Sequence, residues 1–295
     1  MQEKLNALPF VSVIIPCYNA EQFISQTINS VILQTYLNFE IICINDGSND
    51  STEKLIGEVN DNRIVYLSKG NTGVSDTRNK GLKMSRGKYV LFLDADDLID
   101  ADFLEKRVQF LEQNNDFGFC SSVAIQMDEF GNKNYNKKWK GTTTNIKEEI
   151  LTYNSEITSC PSNYLFRKDI LINNSIQFNT DLSSSADRFF LIELSNFTKG
   201  GLVKENGFFY YRVHKKSMSY NISPDFVKDN VLFLKKILLM DNIPVKLKNE
   251  FSFKMNYIFA GGYFQFKQFI PCIWFSIKAF YCSPSGFFKQ LFIKR

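Results

Sequence analysis

Three acids follow an apolar run directly, in the segment Asp94-Ala95-Asp96-Asp97. In an extended backbone, residues i and i+2 point to the same side, so Asp94 and Asp96 are predicted to share a face. Mg²⁺ or Mn²⁺ binds one or two carboxylates together with phosphate oxygens and water. The alternative is a solvated turn before a helix whose N-cap is Asp100. The apolar run before the acids favours the metal site.

Polar clusters follow three other apolar runs: Pro16-Cys17-Tyr18-Asn19, Asn45-Asp46-Gly47-Ser48 and Ser68-Lys69-Gly70-Asn71-Thr72-Gly73. At a strand end, Asp46 could accept a hydrogen bond from a base or a ribose hydroxyl, although its segment also has the composition of a plain tight turn. Arg78 lies on the next predicted helix, where it could equally be solvated surface. Neither common glycine-rich phosphate loop is present, so a phosphate ligand would need positive charge from elsewhere, such as a metal.

Two single residues later in the chain are further candidates. Asp187 opens an amphipathic stretch, where it is either a functional acid or a helix cap. His214 is the single histidine, and it could be a ligand or a structural residue. Trp139, among lysines, could stack on nucleic acid, but one such residue is more typical of ordinary surface, and no nucleic-acid partner is predicted.

The elements that position these residues alternate over the first hundred residues. The predicted strands are Val11–Ile15, Phe39–Ile44, Arg63–Leu67 and Lys88–Leu93, and the predicted helices are Glu21–Gln34, Ser51–Asn60 and Gly73–Ser85. Alternation of this kind predicts an α/β fold with a mostly parallel, doubly wound sheet. Right-handed crossovers place every strand's carboxyl end at one edge, where such sheets bind ligands. The four polar clusters are therefore predicted to form one site.

The pattern is less regular after Asp100. We predict helices over Ala101–Asn115 and Ser185–Asn196, strands over Phe117–Gln126 and Phe208–Tyr211, and a loop or edge hairpin over Asp128–Asn145. The tail from Pro224 is predicted to be helical, with interruptions at Pro244, Pro271 and Pro284. We predict three parts: residues 1–110 and 111–223 as two halves of one domain, and 224–295 as a helical extension.

Composition excludes several classes. The chain has 295 residues, 44% hydrophobic and 22% charged, with a net charge of +4. Such values exclude a disordered, collagen-like or polytopic membrane protein, and +4 is too weak to indicate nucleic-acid binding. The six cysteines include no C-x-x-C pair, so zinc and thioredoxin-like sites have no support. Met1–Pro9 contains no apolar run, so no signal peptide is predicted and reduced thiols in the cytoplasm are expected.

The tail is unusually basic. From Val245 to Arg295, seven lysines and one arginine accompany the single acid Glu250, and aromatic residues are frequent. No uncharged stretch approaches the roughly 20 residues of a membrane span. Lys267, Lys278 and Lys289 are spaced so that they could align on one helix face. We predict contact with a membrane surface. The alternative is a packed helical subdomain or the surface of a homo-oligomer.

Taken in order, four segments resemble the family 2 glycosyltransferases, which have the GT-A fold. They are Val11-Ser-Val-Ile-Ile-Pro-Cys-Tyr-Asn19, Asn45-Asp-Gly-Ser48, Asn71-Thr-Gly-Val-Ser-Asp-Thr-Arg-Asn-Lys-Gly81 and Gly87-Lys-Tyr-Val-Leu-Phe-Leu-Asp-Ala-Asp-Asp97. The resemblance is close over residues 10–100 and looser to about residue 220. It implies a Rossmann-like GT-A domain, a nucleotide-sugar donor, usually a UDP-sugar, and Mn²⁺ or Mg²⁺.

The resemblance also implies roles for individual residues. The donor would be bound by Pro16, Tyr18, Asn19, Asp46, Asn71, Arg78 and Asp94. The metal would be bound by Asp96, with Asp94 and His214 close to it. His214 lies in a Tyr-Arg-x-His-x-x-Ser-x-Ser pattern that ends at Ser217 and Ser219. The family's base usually belongs to a Glu-Asp pair opening a helix; here the pair reads Ala186-Asp187, so Asp187 is the expected catalytic base.

By the same resemblance, the expected reaction is inverting transfer to a hydroxyl of a saccharide or lipid-linked acceptor in bacterial surface polysaccharide biosynthesis. The expected location is the cytoplasm or the inner face of the cytoplasmic membrane. Three alternatives remain open. A sugar nucleotidyltransferase would usually need a glycine- and lysine-rich loop that Pro16–Glu21 lacks. A non-catalytic nucleotide-sugar-binding protein would fit the alanine at position 186. A glycoside hydrolase would use two acids about 5–10 Å apart without a nucleotide.

Overall fold

A computed structural model describes residues 9–141, 145–154, 156–204, 206–215 and 224–293. The strands in this part of the chain are β1 (Val11–Cys17), β2 (Phe39–Asp46), β3 (Ile64–Lys69), β4 (Tyr89–Phe92), β5 (Leu98–Ile99), β6 (Phe117–Ser121), β7 (Ala124–Met127), β8 (Lys133–Trp139), β9 (Tyr164–Arg167), β10 (Lys199–Leu202) and β11 (Phe209–Arg212). The helices are α1 (Ile24–Ile32), α2 (Thr52–Gly57), α3 (Val74–Met84), α4 (Phe103–Gln113), α5 (Ile146–Leu151), α6 (Lys168–Asn173), α7 (Ala186–Leu194), α8 (Pro224–Leu239), α9 (Val245–Gln265), α10 (Phe269–Cys282) and α11 (Pro284–Ile293).

A central sheet of seven described strands has the order β10-β6-β9-β4-β1-β2-β3. The strands β4, β1, β2 and β3 run parallel, as do β10 and β6, whereas β9 is antiparallel to both of its neighbours. The predicted mostly parallel α/β sheet is therefore confirmed. The three-part division stays a prediction, although strands from both sides of position 110 share this sheet.

Helices cover both faces of the central sheet. Every residue of β1 is buried, and successive side chains enter opposite cores. Ile14 belongs to a core that includes residues of α3, α7, α8 and α9, whereas Val13 and Ile15 belong to one that includes residues of α1 and α4. A strand that is covered on both faces has a nearly continuous apolar sequence. This is why β1 and β2 could be predicted from the sequence.

A second sheet lies beside the acidic segment. Its four described strands have the order β5-β11-β7-β8. The single strand predicted over Phe117–Gln126 is wrong, because β6 belongs to the central sheet and β7 to the second one. The chain changes sheets at Ser122, whose Oγ accepts a hydrogen bond of 2.8 Å from buried Arg107. The strand β8 pairs antiparallel with β7, so an edge hairpin forms where a loop was the alternative.

The tail is helical, as predicted, but its interruptions differ. Pro244 precedes α9, and Pro284 is the first residue of α11. The predicted break at Pro271 is wrong: this proline lies in the first turn of α10, where its missing N–H is not needed. The break falls at Lys267, which has φ of +57°. Lys267, Lys278 and Lys289 therefore do not share one helix face. Among the described residues, no helix combines the length and apolarity that a membrane crossing requires.

Candidate functional site

The structure brings the loops after β1 and β2 into direct contact. The Asn19 amide donates to Ser48 Oγ at 3.0 Å, and Asn19 Oδ1 accepts from the Asn49 amide at 2.8 Å. Asn19 has φ of +48°, a left-handed conformation that asparagine tolerates better than most residues. Its neighbour Tyr18 is 50% exposed, so an aromatic ring is available at this strand end. Pro16 lies within β1, where it pairs with Ile44 and is buried.

Asp46 holds the loop that follows β3. Its Oδ1 accepts from Lys69 Nζ at 2.5 Å and from the Thr72 amide at 2.9 Å, and its Oδ2 accepts from the Gly73 amide at 2.9 Å. Asp46 is only 3% exposed. The exposed Asn71 lies close to Gly47, the residue after Asp46. A Cβ added at Gly47 would be only 2.9 Å from the backbone nitrogen of Asn71. Both carboxylate oxygens of Asp46 therefore have protein donors, and they fix the shape of this edge of the site.

The acidic segment forms a tight turn instead of extended backbone. The Asp97 amide donates to the Asp94 carbonyl at 3.1 Å. Thr27 Oγ1, on α1, lies 2.8 Å from the Ala95 carbonyl and 2.9 Å from the Asp97 carbonyl, and this contact holds the turn. The expectation that Asp94 and Asp96 share the face of an extended strand is therefore wrong. Their carboxylates have different partners.

Arg78 joins two carboxylates from distant parts of the chain. Its Nη2 donates to Asp94 Oδ1 at 2.6 Å, and its Nη1 donates to Asp187 Oδ1 at 2.7 Å. The guanidinium is buried against the Phe178 ring, 4.9 Å from the centroid. Burial alone would lower the pKa of Arg78, but the charges of Asp187 and Asp94 outweigh it and raise the pKa. Arg78 is therefore a permanent cation at the centre of the site.

Asp187 is a carboxylate whose charge depends on Arg78. Burial raises its pKa above the ordinary value, and the charge of Asp94 adds to this, while Arg78 lowers it. The side chain is still 29% exposed, so water or a ligand can reach it. Asp187 is the second residue of α7. The preceding Ala186 is fully buried in the core, so it presents no acid to the site.

Asp229, on α8, fixes the loop that presents Asp187. Its carboxylate accepts from the Ser183 amide at 2.5 Å and from the Ser185 amide at 2.9 Å, and it also binds the hydroxyls of Ser184 and Ser185. Asp229 was not predicted from the sequence. An acid inside a tail helix carries no motif, and the signal that could have found it is the run of three serines, whose donors need an acceptor.

His214 faces Asp96. Its Nε2 lies 2.9 Å from Asp96 Oδ2, and its ring lies 4.8 Å from that of Phe23. Nearby Arg212 binds the acidic turn: its amide donates to Asp97 Oδ1 at 2.9 Å, and its Nε donates to the Asp96 carbonyl at 2.6 Å. The second sheet thus brings His214 to the acidic segment. Ser217 and Ser219 lie outside the described residues.

Two groups of side chains could hold a cation. One is Asp96 with His214. The other is Asp94, Asp97 and Cys160, whose ligand atoms lie within 4.8 Å of one another. Burial, and then the charges of Asp94 and Asp97, raise the pKa of the Cys160 thiol well above its usual value, so the thiolate that would bind a metal is disfavoured. Oxygen ligands with one imidazole suit Mn²⁺, and oxygen ligands suit Mg²⁺. The donor set around Asp96 therefore fits the expected ion better.

Comparison with known proteins decides the family. The model for "Glycosyl transferase family 2" matches residues 12–174. The chain belongs to the family 2 glycosyltransferases. The match covers β1 to α6 and includes the acidic turn and Arg78, while Asp187 and His214 lie beyond its end.

Relatives of this family 2 chain include two longer proteins. The minor teichoic acid biosynthesis protein GgaB of Bacillus subtilis is 34% identical over 213 residues, which is 70% of this chain and 23% of GgaB. An uncharacterised glycosyltransferase of Rickettsia bellii is 47% identical over 122 residues, which is 41% of this chain and 18% of that protein. The chain thus spans about a fifth of the length of these relatives.

Solved structures confirm the GT-A fold. S. aureus TarS 1–349 in complex with UDP-GlcNAc has a TM-score of 0.62 at 19% identity, covering 92% of this chain and 91% of that one. The mannosyltransferase PcManGT from Pyrobaculum calidifontis, in complex with GDP-Man and Mn²⁺, has a TM-score of 0.63 at 16% identity, covering 96% and 79%. At these identities the likeness shows the fold alone.

Proposed function

We propose that this family 2 chain is a metal-dependent, inverting glycosyltransferase that moves a sugar from a UDP-sugar to a hydroxyl of a saccharide or lipid-linked acceptor. The observation that carries the proposal is the Arg78 bridge, which places the Asp187 carboxylate beside the acidic turn at the carboxyl ends of the strands. An acid for the acceptor and acids for the donor then meet in one site. The UDP-GlcNAc named with TarS and the teichoic acid pathway named with GgaB support this choice of donor and product class.

In the proposed reaction, Asp187 accepts the proton of the acceptor hydroxyl while that oxygen attacks the anomeric carbon. The bond from this carbon to the diphosphate oxygen breaks on the opposite side, so the configuration inverts. General-base assistance of this kind is worth about 10²–10⁴-fold. The Arg78 charge opposes the rise in the Asp187 pKa that burial causes, and its hydrogen bond orients the carboxylate.

The leaving diphosphate would gain negative charge at the acidic turn. Asp96 and His214 are the residues that would hold Mn²⁺ or Mg²⁺, which would supply positive charge to the diphosphate. Arg212 would keep this turn in place through its bonds to the backbone of Asp96 and to the Asp97 carboxylate. No step is assigned to Cys160.

The base and ribose of the donor would lie along the ends of β1 and β2. Tyr18 offers an exposed ring after β1, and Asn71 is exposed in the loop after β3. Asn19 and Asp46, which bind neighbouring loops, would shape this pocket, with Pro16 as its buried support. Asp94, half-exposed and held by Arg78, would reach the ribose or a metal-bound water.

One experiment separates this proposal from its rivals. The protein is incubated with a panel of UDP- and GDP-sugars with and without Mn²⁺, first in a thermal-shift screen and then with saccharide acceptors, while UDP release is measured. We expect Mn²⁺-dependent stabilisation by a UDP-sugar and UDP release that requires an acceptor, with an inverted anomer in the NMR spectrum of the product.

Other outcomes would assign another function. Release of pyrophosphate would identify a nucleotidyltransferase, and release of sugar without any nucleotide would identify a glycoside hydrolase. Donor binding without turnover across all acceptors would favour the non-catalytic alternative, for which the buried Ala186 is the supporting observation.

A further inference from the structure

The tail helix α10 exposes large apolar side chains on its outer side. The residues are Ile270, Ile273, Trp274, Ile277 and Tyr281, whose exposed fractions are 84%, 59%, 55%, 45% and 80%. A surface helix of a soluble domain normally presents polar residues to water. Contiguous exposed apolar residues of this kind mark an interaction surface. We call these five residues the α10 apolar face.

The opposite side of α10 is already packed. The Phe275 ring lies 5.2 Å from that of Phe259 and stacks at 5.6 Å on Tyr263, and Ala279 is fully buried. At about 100° per residue, the five residues of the α10 apolar face lie within an arc of roughly 100° that points away from Phe275 and Ala279. The helix is therefore fixed on α9 by one side, and its apolar face is presented outward without any rearrangement.

Lys278 borders this face, and further lysines precede and follow α10 in the chain. From Phe251 to Arg295 the chain contains no Asp or Glu. Lys267, Lys278 and Lys289 are exposed. Lys278 Nζ lies 4.8 Å from the centroid of the Trp274 ring, so a cation lies at the border of the α10 apolar face. An apolar helix face with a lysine at its border, in a segment without acids, is complementary to a lipid surface that is apolar inside and anionic outside.

We propose that the α10 apolar face lies in the interfacial region of an anionic lipid bilayer, with α10 parallel to the membrane plane. The 14 residues of α10 extend about 21 Å, which is shorter than the roughly 30 Å of a hydrocarbon core, so the helix lies on the bilayer and does not cross it. Trp274 and Tyr281 are suited to this depth, because each has an apolar ring and a polar group.

A second copy of the chain fits this surface less well. A two-fold symmetric contact would place the same surface on both sides. It would bring the lysines of both copies together without an acid from this segment to pair with them, and like charges across an interface are unfavourable. Anionic lipid headgroups have the opposite charge. This proposal does not depend on the proposed transferase function.

The test is flotation with lipid vesicles. We expect the protein to float with vesicles of phosphatidylcholine and phosphatidylglycerol and much less with phosphatidylcholine alone. The double variant Ile273→Ser/Ile277→Ser should bind the anionic vesicles at least about tenfold more weakly. Replacing Lys267, Lys278 and Lys289 with Gln should weaken binding by about fivefold per lysine and reduce its salt dependence. The matched control is Leu33→Ser/Leu37→Ser, an exposed apolar pair in the donor-binding half, which should bind as the wild type does.

Tryptophan fluorescence locates the contact. The chain has two tryptophans, so Trp139→Phe leaves Trp274 as the single reporter. Its emission should shift to shorter wavelength on anionic vesicles, and brominated lipids should quench it.

Equal flotation of the wild type and the double serine variant would refute the proposal, as would no flotation of the wild type. A dimer in sedimentation velocity that the serine variant dissolves would assign the face to a second copy instead. Transfer to a soluble acceptor should be unchanged in the double serine variant, so failure here is distinguishable from failure of the transferase proposal.

Discussion

Arg78 Nη1 donates a hydrogen bond of 2.7 Å to Asp187 Oδ1, and the two residues are 109 positions apart in the chain. The same guanidinium holds Asp94 through Nη2. Because one cation contacts both acids, removing any of the three residues takes away a charged partner from at least one of the others. Arg78, Asp94 and Asp187 therefore form one charge network, and changes at Asp187 and Arg78 test it.

Replacing Asp187 with Asn should remove the general base while keeping the shape of the side chain. Turnover should fall by at least about 10²-fold, with donor affinity changed little, because the proton acceptor contributes to the chemical step alone. Steady-state kinetics with a UDP-sugar and calorimetry of donor binding would measure both. The matched control is Asp225→Asn, an exposed acid on α8 that pairs with Lys228. Full turnover in Asp187→Asn would show that another residue is the base.

Replacing Arg78 with Met should shift the pH dependence of transfer. Asp187 must be ionised to accept a proton, so the rate rises as pH increases through its pKa. Burial raises that pKa and Arg78 lowers it, so removal of Arg78 should move the acidic limb of kcat/KM to higher pH. An unchanged acidic limb of kcat/KM would show that Arg78 does not influence the pKa of Asp187.

The same variant should be destabilised in a pH-dependent way. Removing one partner of a buried charge network costs about 3 kcal/mol of unfolding free energy at neutral pH. The raised pKa of the Asp187 carboxyl means that its stabilising contribution is lost as pH rises through that pKa, so the loss caused by Arg78→Met should be smaller at pH 5 than at pH 7. Urea denaturation at both pH values would measure this. Arg63→Met, which removes a pair with Asp61 at the opposite edge of the sheet, should show a smaller loss.

The metal-binding residues can be distinguished by three variants. Asp96→Ala and His214→Gln should each weaken Mn²⁺-dependent UDP binding at least about tenfold, since even the outer partners of metal ligands are worth 10–100-fold. Cys160→Ser should bind UDP and Mn²⁺ as the wild type does. Isothermal titration calorimetry with and without Mn²⁺ would report all three. The reverse pattern would move the ion to the group formed by Asp94, Asp97 and Cys160.

The parts of the fold that could be predicted are those in which one local pattern determines the structure. The strands β1 and β2 are buried on both faces, so their apolar runs were unambiguous. The meeting of the loops at one edge follows from parallel topology alone. Arg78 could be placed on a helix, but its two carboxylate partners could not be identified, because no local pattern records contacts with residues 16 and 109 positions away.

The parts that could not be predicted depend on contacts between distant residues. Asp94 and Asp96 look like neighbours on a strand, and it is the Thr27 hydroxyl on another element that holds the acidic turn. The change of sheet at Ser122 depends on the buried guanidinium of Arg107. The support of Asp187 by Asp229 comes from a tail helix that the resemblance does not cover.

Asp46→Asn should test whether this acid is needed for the shape of the donor pocket. The neutral amide would lose the charge that Lys69 pairs with, and its NH₂ group would face one of the Thr72 and Gly73 amide donors. Hydrogen bonds to charged groups are worth about 1.5–3 kcal/mol, so we expect a loss of about 2 kcal/mol in unfolding free energy together with weaker donor binding. Chemical denaturation and calorimetry would measure the two effects. Glu53→Gln, an exposed acid on α2, is the control, and an equally small effect of both changes would contradict the role of Asp46.

The close packing of α3 on β1 gives a prediction that depends on steric fit alone. A Cβ added at Gly81 would lie 2.3 Å from Ile14 Cγ2 and 3.2 Å from its Cγ1, inside a core that is already filled. Gly81→Ala should therefore destabilise the protein by about 1–3 kcal/mol. Because α3 also carries Arg78, displacement of the helix should lower transfer as well. Gly261→Ala is the matched control, since no atom lies within 4 Å of the added Cβ in α9 and alanine favours a helix by up to about 1 kcal/mol. In thermal denaturation, Gly81→Ala should lower the melting temperature and Gly261→Ala should raise it. A melting temperature raised by Gly81→Ala would show that α3 does not pack on Ile14 as closely as the structure indicates.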